Sequence, residues 1–257
     1  IKLATKEKID TVVINAVECE PYLSSDYRLI LEHPRRVIAG MKYIMQALNC
    51  TKGIIAIKSE KNPLYEVLTQ VIKGKFPDMD ITVMKLGNHY PQGWEIEVFR
   101  WALGIDIPHG ELPMKYGVIG FNVSTAAGLY DAIKHNLPVT KRYFTLTGDA
   151  INYPQNYRVK VGTSVKKLIE LSDGFKPGLE EVIVIMGGPM MGVSTVSDDV
   201  IVSKTTTSVI VLQNTEYKEE PCVRCGSCVY SCPAHIEPVQ IMNAVKRNDK
   251  DVLKGLD

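Results

Sequence analysis

Cys222, Cys225, Cys228 and Cys232, followed by Pro233, carry the spacing C-x2-C-x2-C-x3-C-P. This is the bacterial ferredoxin pattern, in which thiolates at short intervals take corners of a [4Fe–4S] cluster. The run occurs once. In two-cluster ferredoxins the fourth cysteine of one run ligates the other cluster, so a single run is half of a paired arrangement. Structural zinc is the competing reading, but it normally takes two separated ligand pairs around a tetrahedron. Cys19 and Cys50 lie far from the run in apolar contexts. They read as reduced, buried thiols and not as disulfide partners.

Other groups could meet a ligand. Asn15, Glu18 and Glu20 lie in Asn15-Ala-Val-Glu-Cys-Glu-Pro21, just past an apolar stretch that reads as a buried strand. In open α/β sheets ligands bind beyond the carboxyl ends of strands. An asparagine offers both donor and acceptor, which matches the pyrimidine edge of a flavin. Solvated loop carboxylates are the alternative for Glu18 and Glu20. His89-Tyr-Pro-Gln-Gly-Trp-Glu95 combines a permissive glycine with two flat aromatic faces, either to stack on a ring or to pack a loop. In Phe121-Asn-Val-Ser-Thr125, Ser124 or Thr125 can cap a helix whose first amides could also hold an anion. Met186-Gly-Gly-Pro-Met-Met-Gly192 lacks the Lys-Ser/Thr of a P-loop and reads as a tight turn. The five histidines are scattered, without metal-ligand spacing.

The elements that must position these groups follow from periodicity. Ile9–Ala16, Gly53–Lys58 and Ile81–Met84 read as strands. Between them Val37, Ile38, Met41, Ile44, Met45 and Leu48 recur at helical spacing after Pro34, and Leu64, Val67, Leu68, Val71 and Ile72 do so after Pro63. The stretch from Leu86 to Trp101 breaks the rhythm. Gly117–Asn122 then reads as a strand entering a helix from Ser124 to His135. Alternating strands and helices predict a parallel α/β sheet. From Thr140 the pattern changes to short strands and turns: Arg142–Thr147, Tyr157–Val161, a helix around Val165–Leu171, and Val182–Met186. This predicts a β-grasp-like α+β unit. A charged stretch, Glu216–Glu220, leads into the cysteine run.

Composition sets the outer limits. The chain has 257 residues, 45% hydrophobic and 23% charged, which fits a soluble globular protein of one large domain or two to three smaller ones. Thirty basic and 29 acidic residues leave a net charge of +1, so nothing points to nucleic acid or an anionic membrane. No apolar run is long enough for a transmembrane segment, and no secretory signal opens the chain. Its start on Ile1 instead of Met reads as a piece of a longer protein. The cysteine usage fits a cytoplasmic protein.

Six motifs occur in a fixed order ahead of the cysteine run: Asn15–Pro21, Tyr90-Pro-Gln-Gly93, Ile107-Pro-His-Gly110, Asn122-Val-Ser-Thr125, Thr147-Gly-Asp-Ala150 and Gly187-Gly-Pro-Met-Met-Gly192. Together they resemble the C subunit of the Rnf electron-transport complex and its soluble relatives, the cobalamin reductase and the proline reductase-associated electron-transfer protein. More distantly the chain resembles the flavoprotein subunit of respiratory complex I. The resemblance implies a Rossmann-like domain for FMN and NADH over 1–139, a β-grasp, soluble-ligand-binding (SLBB) domain over 140–214, and a small helical iron–sulfur domain over 215–257. It implies that Asn15, Glu18 and Glu20 surround the flavin, that Tyr90, Gly93 and Glu95 line its nicotinamide side, and that Asn122 and Thr125 approach the isoalloxazine or phosphate. Electrons would pass from NADH through FMN to [4Fe–4S] clusters, since a nicotinamide gives two electrons at once and a cubane takes one.

Other implications concern the chain's neighbours. The partner would be a downstream reductase or the other subunits of an electron-transfer complex, with the protein free in the cytoplasm or peripheral on the cytoplasmic face of a membrane complex. The family's glycine-rich loop would fall before Ile1. Cys222, Cys225 and Cys228 would hold one cluster while Cys232 serves a second whose run lies beyond Asp257. The run within this stretch is therefore expected to be incomplete or poorly loaded. Trp94 stands where relatives carry a small or acidic residue, which raises an alternative: a non-catalytic relay or docking subunit that has lost NADH binding. A small-ligand-binding protein with structural zinc is a third reading.

Overall fold

The computed structural model describes residues 2–179, 181–195, 197–215, 218 and 220–256. Glu216, Tyr217 and Glu219 of the charged stretch therefore lie outside the described residues. The chain divides into two compact units, one ending at Asn214 and one beginning at Thr215.

The first unit holds two sheets. In the first, β1 (Thr11–Ala16), β2 (Lys52–Lys58), β3 (Asp80–Leu86) and β4 (Val118–Asn122) are all parallel, in the order β3-β2-β1-β4. Helices α1 (Ser25–Glu32), α2 (Pro34–Ala47), α3 (Asn62–Lys75), α4 (Glu95–Leu103) and α5 (Val123–His135) accompany them. Because side chains alternate across a strand, β1 feeds two cores. Val12 and Ile14 join Met41, Ile44, Leu68 and Ala126 on one face, while Val13 joins Ile54, Val98 and Phe99 on the other. Burial on both faces is why the central strands β1 and β2 read as continuous apolar runs, whereas the edge strand β3 is only partly buried.

The helical periodicity after Pro34 is realised in α2, whose Val37, Ile38, Met41, Ile44 and Met45 are buried. α2 and α5 meet closely at Gly40, where a Cβ would fall 1.8 Å from the Ala126 carbonyl oxygen. The break after Leu86 is real but brief: turns and a cis Tyr90–Pro91 peptide lead directly into α4.

The second sheet has the order β6-β5-β9-β7-β8, built from β5 (Lys141–Thr147), β6 (Gln155–Lys160), β7 (Val182–Met186), β8 (Val193–Thr195) and β9 (Ser208–Gln213). β5 and β9 are parallel and the other neighbours antiparallel. Helix α6 (Val165–Leu171) packs Val165, Leu168 and Ile169 against Phe144, Leu146, Val209 and Val211. Each such buried side chain contributes roughly 1.5–3 kcal/mol relative to exposure. The mixed sheet with one crossing helix is the β-grasp-like arrangement expected from residue 140 onward.

The second unit is helical, with α7 (Ser227–Tyr230), α8 (Pro238–Arg247) and α9 (Lys250–Gly255). Asp249 caps α9 by accepting from the Val252 amide at 3.1 Å. No helix among the described residues is long and apolar enough to cross a membrane.

Candidate functional site

The strand order fixes where a ligand can enter. From β1 the chain moves outward to β2 and β3, then returns to place β4 on the other side of β1. The crevice beyond the carboxyl ends of β1 and β4 is thus a topological switch point, the usual ligand position in such sheets. Asn15 and Asn122 are register partners at that point. An open cleft there is lined by Lys2, Asn15, Glu95, Phe121, Asn122 and Thr125, with Leu3 and Gly120 completing it. Four of the residues expected to form the site, Asn15, Glu95, Asn122 and Thr125, therefore share one cleft.

Lys2 is an addition to that set, and no local sequence signal marks it. Its Nζ donates to Glu95 Oε1 at 2.7 Å and to the Gly120 carbonyl at 2.8 Å, and lies 5.6 Å from the Phe121 ring centroid. Gly120 makes this possible: a Cβ there would sit 2.4 Å from Glu95 Oε1. Glu95 is the first residue of α4, where a carboxylate is favoured by the helix dipole.

The remaining expected residues have other partners. Asn15 Nδ2 donates to the Gly93 carbonyl at 2.8 Å and its Oδ1 accepts from the Val17 amide at 3.2 Å. Asn15 thereby fixes the Gly93 loop beside the cleft; Gly93 itself packs against Cys19, whose Sγ would be 2.9 Å from a Cβ. Glu18, at φ 43°, accepts from the amides of Asp26 and Tyr27 at 2.9 and 3.3 Å, satisfying the first turn of α1. Burial, with the Asp26 charge beside it, pushes the Glu18 carboxyl up to about 7. Burial also raises Asp26, whose carboxylate accepts from Asn122 Nδ2 at 2.7 Å and Ser124 Oγ at 3.1 Å. Asn122 Oδ1 caps α5 through the Ser124 amide at 2.8 Å.

Glu20 reaches the turn between β7 and β8. Its Oε2 accepts from the Met190 amide at 3.0 Å, and its carboxylate lies over Gly188, where a Cβ would fall 2.2 Å from Oε2. Glu18 and Glu20 are neither solvated loop carboxylates nor lining residues of the cleft. Tyr90 and Gly93 also lie outside the cleft lining. Trp94 is 42% exposed and does not line the cleft either, so it does not occupy that space. Gln92, part of the Tyr90–Gly93 motif but not among the expected site residues, is fully buried, with both side-chain polar atoms unpartnered among the described residues.

In the second unit Cys222, Cys225 and Cys228 are exposed and Cys232 is half-buried. Arg224 and Gly226, both in the left-handed region, turn the chain between the cysteines. Cys225 Sγ lies 3.3 Å from Ser227 Oγ. Among the described residues no three His, Cys, Asp or Glu side chains are gathered as a metal shell. The donor set, four thiols at ferredoxin spacing, is nonetheless of the type that holds iron–sulfur clusters.

Comparison with known proteins agrees with the fold. The Nuo51 FMN-binding domain family matches residues 1–131, and the SLBB domain family matches residues 143–194. The C subunit of the Na+-translocating ferredoxin:NAD+ oxidoreductase complex of Acetobacterium woodii is 36% identical over 255 residues, covering 96% of this chain and 56% of the relative. The C subunit of the proton-translocating ferredoxin:NAD+ oxidoreductase complex of Clostridium ljungdahlii is 35% identical over 243 residues, covering 93% and 52%. The chain thus spans about half the length of these curated relatives. Among solved structures, the H2-reduced NAD+-reducing [NiFe]-hydrogenase superposes with a TM-score of 0.65 at 16% identity, over 81% of this chain and 41% of that one, a likeness of fold. The chain belongs to the Nuo51 FMN-binding domain family, carries an SLBB domain after it, and is a homologue of the C subunits of ion-translocating ferredoxin:NAD+ oxidoreductase complexes.

Proposed function

We propose that this chain is the flavin-binding and electron-relaying part of an NADH-linked oxidoreductase, which exchanges electrons between NADH and [4Fe–4S] clusters for the other subunits of a complex or a partner reductase. The observation that carries this reading is the register pairing of Asn15 with Asn122 at the switch point, over a cleft that also presents Lys2, Glu95 and Thr125. Three functional modules follow, 1–139, 140–214 and 215–257, with the last relaying electrons on the cytoplasmic face of a membrane complex.

The lining suits FMN. Phe121 and Leu3 offer apolar surface for a ring, while Lys2, Asn15, Asn122 and Thr125 offer polar contacts at its edges. Thr125 is exposed in the first turn of α5, whose amide end favours a phosphate. FMN, when bound, converts the two-electron chemistry of a nicotinamide into single-electron transfers. The chain's own residues hold the cleft open in a defined shape: Asn15 fixes the Gly93 loop, and Lys2 neutralises Glu95. Glu18 and Glu20 anchor the segment that leaves β1 next to the cleft, the loop of Tyr90 and Gly93 together with Glu95 is assigned to the nicotinamide side, and Cys222, Cys225, Cys228 and Cys232 serve clusters.

The test is anaerobic reconstitution of the full-length protein with FMN, iron and sulfide. Saturable FMN binding with bleaching of the flavin absorbance by NADH is the expected result. FMN binding without any bleaching by NADH would overturn the NADH-linked reading.

A further inference from the structure

We propose that a second, separate cavity, bounded by α5 and the start of the second sheet, binds a small phosphate-type oxyanion through Arg142 and Arg158. This goes beyond the flavin reading and uses a different wall of the protein. The cavity measures about 150 Å³. A void of that size admits a single compact group, about one benzene ring, and not a nucleotide.

Its charge is one-sided. Arg36, Lys141, Arg142 and Arg158 line it, and Asp131 is the single lining carboxylate. Arg36 and Asp131 satisfy each other in a two-point pair, and the third Arg36 nitrogen donates to the Tyr143 hydroxyl at 2.9 Å. That pair is electrically closed. Lys141, Arg142 and Arg158 form no ion pair among the described residues. The Arg158 guanidinium lies 5.8 Å from the Tyr143 ring centroid, on the same ring that Arg36 approaches at 5.8 Å. Like-charged groups are thus held close together around one aromatic ring.

Arg142 makes the strongest demand for a partner. Its Nε is buried and has no hydrogen-bond partner among the described residues. Buried guanidinium donors normally find an acceptor, and their fork geometry matches the oxygens of phosphate or carboxylate. Asp26 is the nearby counter-charge, but both its oxygens are already engaged by Asn122 and Ser124. Burial accordingly lowers the Arg142 pKa from the ordinary arginine value, with the Asp26 charge opposing it. Ser124, in the first turn of α5, also lines the cavity, its amide and hydroxyl already engaged by Asn122 and Asp26. An oxyanion here supplies the missing acceptor and balances the charge in one step. The cavity is lined from α1, α2 and α5 as well as from β5 and β6 of the second sheet.

The experiment is calorimetric titration of the full-length protein with inorganic phosphate and, separately, with methyl phosphate, against potassium chloride at matched ionic strength. Saturable 1:1 binding of either probe is expected. Inorganic phosphate alone identifies the free ion, and a preference for the ester identifies a phosphomonoester ligand. Arg142→Gln is expected to weaken binding at least tenfold. Arg158→Gln, at an exposed position where folding is not at stake, is expected to weaken it severalfold, and the exposed Arg35→Gln to leave it unchanged. Absence of saturable binding, or unchanged affinity in the Arg142 and Arg158 variants, would overturn the proposal. So would competition by FMN, because the phosphate would then be reading the flavin cleft. Failure of FMN to bind leaves the phosphate titration intact, so the two readings fail separately.

Discussion

Asn122 joins two helices through one amide: its Nδ2 donates to the buried Asp26 of α1 at 2.7 Å, and its Oδ1 caps α5 at the Ser124 amide at 2.8 Å. The same residue lines the switch-point cleft. Asn122→Ala removes the cap and leaves a buried carboxylate one donor short. Caps are worth ~1 kcal/mol and an unsatisfied buried acceptor ~1–3 kcal/mol. Chemical denaturation is expected to show a loss of roughly 2–4 kcal/mol. A change below about 0.5 kcal/mol would mean that the amide holds neither helix.

Glu18 gives the stability a pH signature. Its carboxyl is pushed up to about 7 from an ordinary 4.5, so between those values the folded chain keeps a proton that the unfolded chain releases. Stability therefore declines as pH rises from about 4.5 to about 7, by on the order of 3 kcal/mol, and then levels off. The raised Asp26 adds a slope of the same sign. Glu18→Gln is expected to flatten the melting-temperature profile across this window. Parallel profiles for the two proteins would assign the slope elsewhere.

Gly40 is a steric prediction. A methyl group there would need the space of the Ala126 carbonyl, a backbone atom 1.8 Å away. α2 would have to move off α5, and overpacking of this kind costs ~1–3 kcal/mol or more. Gly74→Ala, in α3 with nothing within 4 Å, is the control and is expected to stabilise by up to ~1 kcal/mol. Equal behaviour of the two variants in thermal melts would refute the close packing.

The cysteine run predicts an asymmetric iron loss. If Cys222, Cys225 and Cys228 share one cluster and Cys232 serves another, Cys225→Ser and Cys232→Ser should impair different clusters of the reconstituted full-length protein. Two distinct electron paramagnetic resonance signals, each weakened by one variant, are expected. Loss of the same signal in both variants would place all four thiols on one cluster.

β1 and β2 are legible in the sequence because both their faces are buried, β3 and β4 are legible from shorter apolar stretches, and α2, α3 and α5 from their apolar spacing. What escapes depends on distant partners. α1 has eight residues and takes its N-terminal support from Glu18, outside the helix itself. α4 is hidden inside the stretch that breaks the rhythm, because its start is set by Trp94 and Glu95 after a turn. β9 lies at the middle of the second sheet, and its run Ser208–Val211 is buried without alternation. In the cleft, Asn15 and Asn122 can be read from their places at strand ends. Lys2 cannot, since its partners Glu95 and Gly120 are 93 and 118 residues away. Glu18 and Glu20 stand out in the sequence but serve amides and not the cleft, because a sequence shows a carboxylate without showing which donor it will meet.

The short exit from β1 has a practical consequence for engineering. Asn15 holds Gly93, Glu18 holds the start of α1, and Glu20 holds Met190 in the turn between β7 and β8. The segment Asn15–Glu20 thus sends three anchors to three separate parts of the chain. The cleft is consequently not a portable loop. Grafting Asn15–Glu20 onto another parallel sheet would transfer the polar groups without their receivers, and a minimal transplant has to extend through Met190.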